Sequence, residues 1–322
     1  MKDYIYEVAR IRVMENGLLT KADLEQLLAE PSFESALRAL SEKGWGGGEL
    51  RDAEAMLKAE EESTWALMEE LLKGGRELDI LRLTRDYHNL KAAIKELYAS
   101  SGLTPERLYL AGGTIPLEVI LQAVTDGDYE KLPPAMGEAA RQASEALTRT
   151  GDAQLSDSLI DRACLMALTE AAKQAPDPVL QDYAFTTAAA ADIRIALRAA
   201  AAGKDVREIG ELLAPVPGLD LGLMAEAAVS GRGALADYLH NTPYEAISPS
   251  LAQSMSAFEC ACDDLMITRL LPQKTESLSL GPLAAYVIAR EMEIKSVRLL
   301  LTGKQNGLPQ EQIRESLRMC YG

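Results

Sequence analysis

Apolar and polar positions along this chain group into helical segments, separated by glycine and proline. Near the start, Tyr4, Ile5, Val8, Ile11 and Val13 stand among Arg10 and Arg12. This predicts a helix over 4–14, ended by Asn16-Gly17. Leu19-Thr20-Lys21-Ala22-Asp23-Leu24 restarts one, with Thr20 capping free amides, Asp23 at the third position and Leu19 stapled to Leu24. Further helices are predicted from Ser32 to about Leu40, over 52–73 and over 76–99. Others follow from Asp157 to Gln174, from Val179 to Ala202, from Pro249 to Leu271 and from Gly281 to Thr302. Gly-Pro turns near 112–116, 215–218 and 231–249 are the candidate seams and loops.

One short phrase recurs along these helices: Asn89-Leu90-Lys91, Asp192-Ile193-Arg194 and Glu293-Ile294-Lys295. Each helix runs into a glycine, at Gly102, Gly203 and Gly307, and six residues later comes an aliphatic, Leu108, Ile209 or Ile313. The restart is capped by Thr104 in the first copy, with Pro105 at the first helical position, and by Asp205 in the second. Pro309 holds that place in the third and cannot cap through a side chain, so that start should be weaker. Asp161-Arg162-Ala163-Cys164 also answers Glu259-Cys260-Ala261-Cys262, each ahead of a proline break. The pattern predicts an all-α chain of three related units, 1–113, 114–218 and 219–322. A chain built three times from one unit usually makes a surface or a shape rather than one catalytic pocket.

Composition narrows this further. Only 3 Phe and 2 Trp occur, and strand-favouring residues are thin beside Ala and Leu. The chain carries 33 basic and 49 acidic residues, a formal charge of −16. That argues against nucleic acid and against an anionic membrane surface, both of which ask for a basic face. A basic protein partner fits the charge, and so does simple solubility. No apolar run is long enough to span a bilayer. The start, Met1-Lys2-Asp3-Tyr4, has no apolar stretch of the signal-peptide kind. The 4 cysteines form no CxxC pair, which suits a cytoplasmic, reduced protein.

The residues that could carry chemistry do not assemble into a constellation. Gly46-Gly47-Gly48 lacks the preceding strand and the following Lys-Ser/Thr of a phosphate loop, and Gly303-Lys304 is followed by Gln305. Asp263-Asp264 has the look of an acidic metal motif, but Ile267 stands where a partner acid would be needed. Cys260 and Cys262 point to different faces of a helix and read as small core residues. His88 is either a general base or a hydrogen-bonded packing residue, and His240 falls in a predicted loop. Arg10, Arg12, Arg194, Arg198, Arg290 and Arg298 could face a partner's acids, or pair with acids across helices. No catalytic, metal or cofactor residue is assigned.

Three landmarks carry a family resemblance. They are Asp86-Tyr87-His88-Asn89-Leu90-Lys91, the opening Tyr4-Ile5-Tyr6-Glu7-Val8-Ala9-Arg10-Ile11-Arg12, and Tyr286-Val287-Ile288-Ala289-Arg290-Glu291-Met292-Glu293-Ile294-Lys295-Ser296-Val297-Arg298. Together, and in this order, they resemble the C subunit of the V-type (A-type) ATPase and ATP synthase, the relative of the d subunit of eukaryotic V-ATPase. The resemblance implies an all-helical funnel of three similar domains in pseudo-threefold arrangement. It implies a non-catalytic rotor subunit, without nucleotide or cofactor, peripheral to the membrane as part of a membrane-bound complex. Such a protein sits between the central shaft, subunits D and F, and the membrane proteolipid ring, and couples ATP chemistry to H⁺ or Na⁺ movement. Within that frame Tyr87, His88, Asn89, Arg194 and Arg298 are the candidates for partner binding. Two other readings stay open: a free-standing helical scaffold for another soluble partner, and an all-helical metal-dependent enzyme.

Overall fold

The computed structural model describes residues 3–48, 52–99 and 108–322, and these form helices and connecting turns with no strand among them. Gly102, the Thr104 cap and the rest of 103–107 lie outside the described residues. By contacts the chain divides into two compact units. One comprises Met1–Arg76, Pro176–Val179 and Tyr244–Gly322, and the other Glu77–Ala175 and Leu180–Pro243.

The first unit holds α1 (Ile5–Glu15), α2 (Lys21–Ala29), α3 (Phe33–Glu42) and α4 (Ala53–Leu72). To these it adds α13 (Ser248–Leu251), α14 (Met255–Leu270), α15 (Gly281–Gln305) and α16 (Gln310–Ser316). α2 starts as its residues dictate: Thr20 accepts from the Asp23 N–H while Asp23 reaches back to Thr20, a reciprocal capping box. α15 is the central helix and packs against α4, α1, α3 and α16. Ile294, Val297, Leu300 and Leu301 meet Leu24, Leu27, Leu28, Leu37, Leu40, Met56 and Leu57 in one core. Each large aliphatic taken from water there stabilises the unit by about 1.5–3 kcal/mol.

The second unit holds α5 (Leu83–Ala99), α6 (Leu117–Asp126), α7 (Pro134–Thr150) and α8 (Ala153–Lys173). It continues with α9 (Pro178–Ala201) from Leu180 on, α10 (Val206–Gly210), α11 (Leu221–Ser230) and α12 (Arg232–Leu239). α7 and α8 form a tight antiparallel hairpin through Gly151, with Asp152 capping the start of α8. Alanine makes the close approach possible, since Ala139, Ala140, Ala143 and Ala146 are all buried along α7. Tyr87, Leu90 and Ile94 of α5 share a core with Ile120, Val124, Met136 and Ile160.

Several predicted bounds change. The stretch 231–249 is not one loop, because Arg232–Leu239 is a helix. The single helix expected from Pro249 to Leu271 is two, Ser248–Leu251 and Met255–Leu270, broken where Ser254 caps the second. The predicted 76–99 helix begins only at Leu83, after a short turn of 3₁₀-helix at Asp79–Leu81. α9 starts one residue early, with Pro178 as its first residue.

Candidate functional site

The repeated phrase is a set of clasps on the backbone. After each long helix the chain turns back, and a polar side chain on the helix catches that returning segment. On α5, Asn89 is buried. Its Oδ1 accepts from the Leu110 N–H and its Nδ2 donates to the Leu110 carbonyl, each at 2.8 Å. One turn earlier, Asp86 accepts from the Thr114 N–H at 2.9 Å, from the Ile115 N–H at 3.2 Å and from the Thr114 hydroxyl at 2.6 Å. Burial pushes the Asp86 carboxyl up, and those hydrogen bonds pull it back down. Gly113 has to be glycine here, since a Cβ would stand 2.2 Å from Asp86 Oδ1. On α9, Asp192 is fully buried and accepts from the Ala214 N–H at 3.1 Å.

In the third copy the residue that catches the returning segment stands one turn beyond Glu293, which instead holds a distant part of the chain. Glu293 on α15 accepts from the Leu19 N–H, and Ser296 accepts from the Arg318 N–H at 3.3 Å. Ser296 is the positional match of Asp192. Eleven residues after each comes the glycine, Gly203 or Gly307, and seventeen after each comes the buried isoleucine, Ile209 or Ile313. Each catches a backbone N–H 22 residues further on. The third copy therefore registers as Ser296-Val297-Arg298, one turn beyond the phrase that stands out in the sequence. The caps behave as expected: Asp205 makes a capping box with Glu208, and Pro309 supplies no side-chain hydrogen bond.

The charged partners of α15 make a second, buried cluster. Arg290 binds Glu293 on its own helix and Glu60 on α4, and its guanidinium lies over the Trp45 ring, 5.1 Å from the centroid. Glu60 also accepts from the Gly46 N–H at 2.6 Å, so Trp45-Gly46-Gly47-Gly48 is a turn pinned to α4. Burial pushes the Glu293 carboxyl up, with Arg290 pulling it back. Asp263 and Asp264 likewise serve the chain itself. Asp263 pairs with Lys295 at 2.5 Å and Arg318 at 2.7 Å, and Asp264 accepts from the Met319 N–H at 2.6 Å. All four cysteines are free thiols, with Cys164 and Cys262 buried. Burial pushes the Cys164 thiol up to about 12.

The five candidate partner-binding residues fall in different surroundings. Tyr87 is in the second unit's core, where burial raises its hydroxyl far above the usual range. His88 is exposed, and its ring donates to the Leu108 carbonyl at 3.1 Å, so it is hydrogen-bonded but not packed in the core. Asn89 is the clasp described above. Arg194 is half-buried on α9 and Arg298 is half-exposed on α15, 3.4 Å from Glu54. Tyr87, His88, Asn89 and Arg194 belong to the second unit and Arg298 to the first. Glu60, Asp86 and Ser296 are the structural residues that sequence reasoning misses. The equal spacing from Asp192 and Ser296 to their glycines is the signal that would have found Ser296.

The second unit also carries an open groove of about 960 Å³, walled by α7, α8 and the Pro215-Val216-Pro217 turn, with Arg162 and Met166 on its lining. Among the described residues no group of His, Cys, Asp and Glu is placed to hold a metal ion. No described helix is long and apolar enough to cross a membrane.

Comparison with known proteins adds to this geometry. Residues 8–316 match the family model of the ATP synthase (C/AC39) subunit. The C subunit of the V-type ATP synthase of Thermus thermophilus is 28% identical over 336 residues, covering 98% of each chain. The C subunit of the V-type sodium ATPase of Enterococcus hirae is 22% identical over 319 residues, covering 97% of each. The C subunit of the A-type ATP synthase of Methanocaldococcus jannaschii is 22% identical over 348 residues, 98% of this chain and 86% of the relative.

Proposed function

The chain belongs to the ATP synthase (C/AC39) subunit family, and on that premise we propose that it is a non-catalytic central-stalk subunit of a rotary ATPase. In this role it joins the rotating shaft, subunits D and F, to the membrane proteolipid ring. It thereby couples ATP hydrolysis or synthesis to H⁺ or Na⁺ transport, as a peripheral part of a membrane-bound complex. The observation that carries the proposal is the end-to-end likeness to the C subunit of several such complexes, at 97–98% coverage of this chain.

The physical character of the chain supports it. A coupling element has to carry torque without yielding, and close-packed interiors resist deformation. Side-chain clasps that fix each returning segment to its helix add to that stiffness. The polar groups with unusual burial hold backbone and one another, which suits a mechanical part. The recurrence of the clasps at Asn89, Asp192 and Ser296 supports a chain of three related repeats. With a net charge of −16, basic loops on shaft or ring are the complementary surface. Of the five candidates, His88, Arg194 and Arg298 have side chains that can reach a partner. Tyr87 and Asn89 would act by shaping the helix beneath them.

The test is co-purification of the chain with D and F, followed by the detergent-solubilised ring, at low and high salt. The expected result is a joint complex that weakens as salt rises. A folded, monodisperse protein that binds neither would overturn the proposal.

A further inference from the structure

The three clasps do the same job with different chemistry, and one of them is an acid held by a single backbone N–H. Asn89 is neutral and meets both backbone groups of Leu110. Ser296 is neutral and accepts from Arg318. Asp86 and Glu293 are acids, but each has several hydrogen-bonding partners. Asp192 is 0% exposed, and among the described residues its hydrogen bonds come from one donor, the Ala214 N–H, at 3.1 and 3.3 Å to its two oxygens. One turn before it stands Ala189, buried and apolar, where α5 carries Asp86 and α15 carries Glu293.

Ala214 belongs to the segment Leu213–Pro217. Leu213, Ala214 and Val216 are buried, and Pro215, Val216 and Pro217 wall the 960 Å³ groove. From Leu212 to Leu219 the chain carries no ionisable side chain. The charged group that acts on Asp192 from a neighbouring helix is Arg162 of α8, which also lines the groove. On its own helix the nearest charged residues are Arg194 and Arg198, and on α10 Arg207 and Glu211 pair with each other at the surface.

We propose that Asp192 is a proton-operated latch on the Leu213–Pro217 segment, seated when its carboxyl is neutral and released to water when it ionises. A buried carboxylate with one donor is strongly disfavoured by its lost hydration. Any opening that lifts Leu213–Pro217 lets water reach it, so the charged form favours the open segment and the neutral form the closed one. Opening would reshape the groove wall at its two prolines. Burial pushes the Asp192 carboxyl up to about 7 in the closed state, against about 4 for a solvated aspartate, so the latch works between those two values. The closed state holds a proton that the open state loses, so closure is strongest below about pH 4, weakens as pH rises toward the closed-state value and levels off above it. The proposal stands independently of the rotor reading.

The experiment is hydrogen exchange by mass spectrometry on the full chain, reading peptides that cover 212–219, from about pH 4 to about pH 8.5. Rates are corrected for intrinsic exchange, and a peptide from the α7–α8 hairpin serves as the internal control. The expected result is protection of 212–219 that falls by up to about tenfold per pH unit from about pH 4 and levels off past a midpoint at about pH 7, with the control unchanged. In Asp192→Asn the dependence should vanish. In Arg162→Gln the midpoint should move to higher pH, because the cation that favours the carboxylate is gone. Flat protection in the unaltered protein, or the same slope in Asp192→Asn, would overturn the proposal. Should Asp192→Asn not fold, an unmoved midpoint in Arg162→Gln overturns it as well.

Discussion

Asn89 meets both backbone groups of Leu110, accepting from its N–H and donating to its carbonyl, each at 2.8 Å across 21 residues of chain. The side chain is 1% exposed, so water cannot replace either bond. Asn89→Ala strands a buried donor and a buried acceptor, at about 1–3 kcal/mol for each group left unsatisfied. The expected loss is about 2–4 kcal/mol, read as a lower denaturant midpoint with an unchanged slope. A midpoint shift within about 0.5 kcal/mol would show that the clasp contributes nothing to stability.

Asn89→Asp tests the chemistry of the clasp more finely. The new carboxyl would sit where Asp192 sits in its own copy, buried against one peptide. Asp192 has its carboxyl raised to about 7 by burial, and the same direction is expected at position 89. A raised acid adds stability that is fully present below its unfolded pKa. That stability is lost as pH rises through the folded value. Asn89→Asp should therefore approach the unaltered protein near about pH 4 and fall behind it progressively toward about pH 8. Parallel stability curves for the two proteins would sink the idea.

The buried cluster on α15 gives the largest expected effect. Arg290 neutralises Glu60 and Glu293 at once, with side-chain exposures of 7%, 13% and 8%. Arg290→Ala leaves two carboxylates buried together, and breaking such a network costs about 3–5 kcal/mol. Glu293 should then titrate higher still in the folded state, so the deficit should deepen as pH rises. Adding Glu60→Gln and Glu293→Gln removes the stranded charges and should recover part of the loss. Thermal unfolding of the single and triple variants at two pH values decides it: a triple variant no better than Arg290→Ala contradicts the account.

Arg298→Ala should do almost nothing to stability. Its pair with Glu54 spans 3.4 Å with side-chain exposures of 47% and 74%, and such surface pairs are worth about 0–1 kcal/mol. That makes it a clean probe of the proposed partner contact, because weaker shaft or ring binding could not be blamed on unfolding. A destabilisation above about 2 kcal/mol would mean that Arg298 holds the fold in a way its contacts do not suggest.

The helical character, the glycine stops and the caps at Thr20 and Asp205 were all legible in the sequence. They depend on residues a few positions apart. The short phrase at Asn89, Asp192 and Glu293 was legible too, because its letters are similar and roughly a hundred residues apart. Its meaning was not. A clasp joins residues 21 or 22 apart, and nothing local says which N–H a buried Asn will reach. The register of the third copy was hidden for the same reason. Ser296 is an unremarkable letter, and Glu293 looks more like Asp192 while reaching across 274 residues to Leu19. Glu60 was invisible on an acid-rich helix until Arg290 and Gly46 met it. The helices at 134–150 and 221–230 carry few signature residues, and their packing depends on partners distant in sequence.

Gly303 offers the sharpest test of how α15 and α16 fit. It lies inside α15, where glycine is about 1 kcal/mol worse than alanine by helix propensity alone. Propensity thus predicts that Gly303→Ala stabilises. Packing predicts the reverse, because a Cβ there would stand 2.7 Å from Ile313 Cγ1 and 2.9 Å from Cδ1. Ile313 is 2% exposed and packs in the core with Leu300 and Leu301. Overpacking costs about 1–3 kcal/mol, so packing should win and Gly303→Ala should destabilise. Ile313→Ala alone opens a cavity and should cost about 2–5 kcal/mol. In the double variant the clash is gone and the new methyl fills part of the hole. The two losses should then add to less than their sum, by about 0.5–3 kcal/mol of coupling in a double-mutant cycle. Strict additivity, or a Gly303→Ala chain more stable than the original, would show that α16 can move away freely and that this contact does not set the spacing of the two helices.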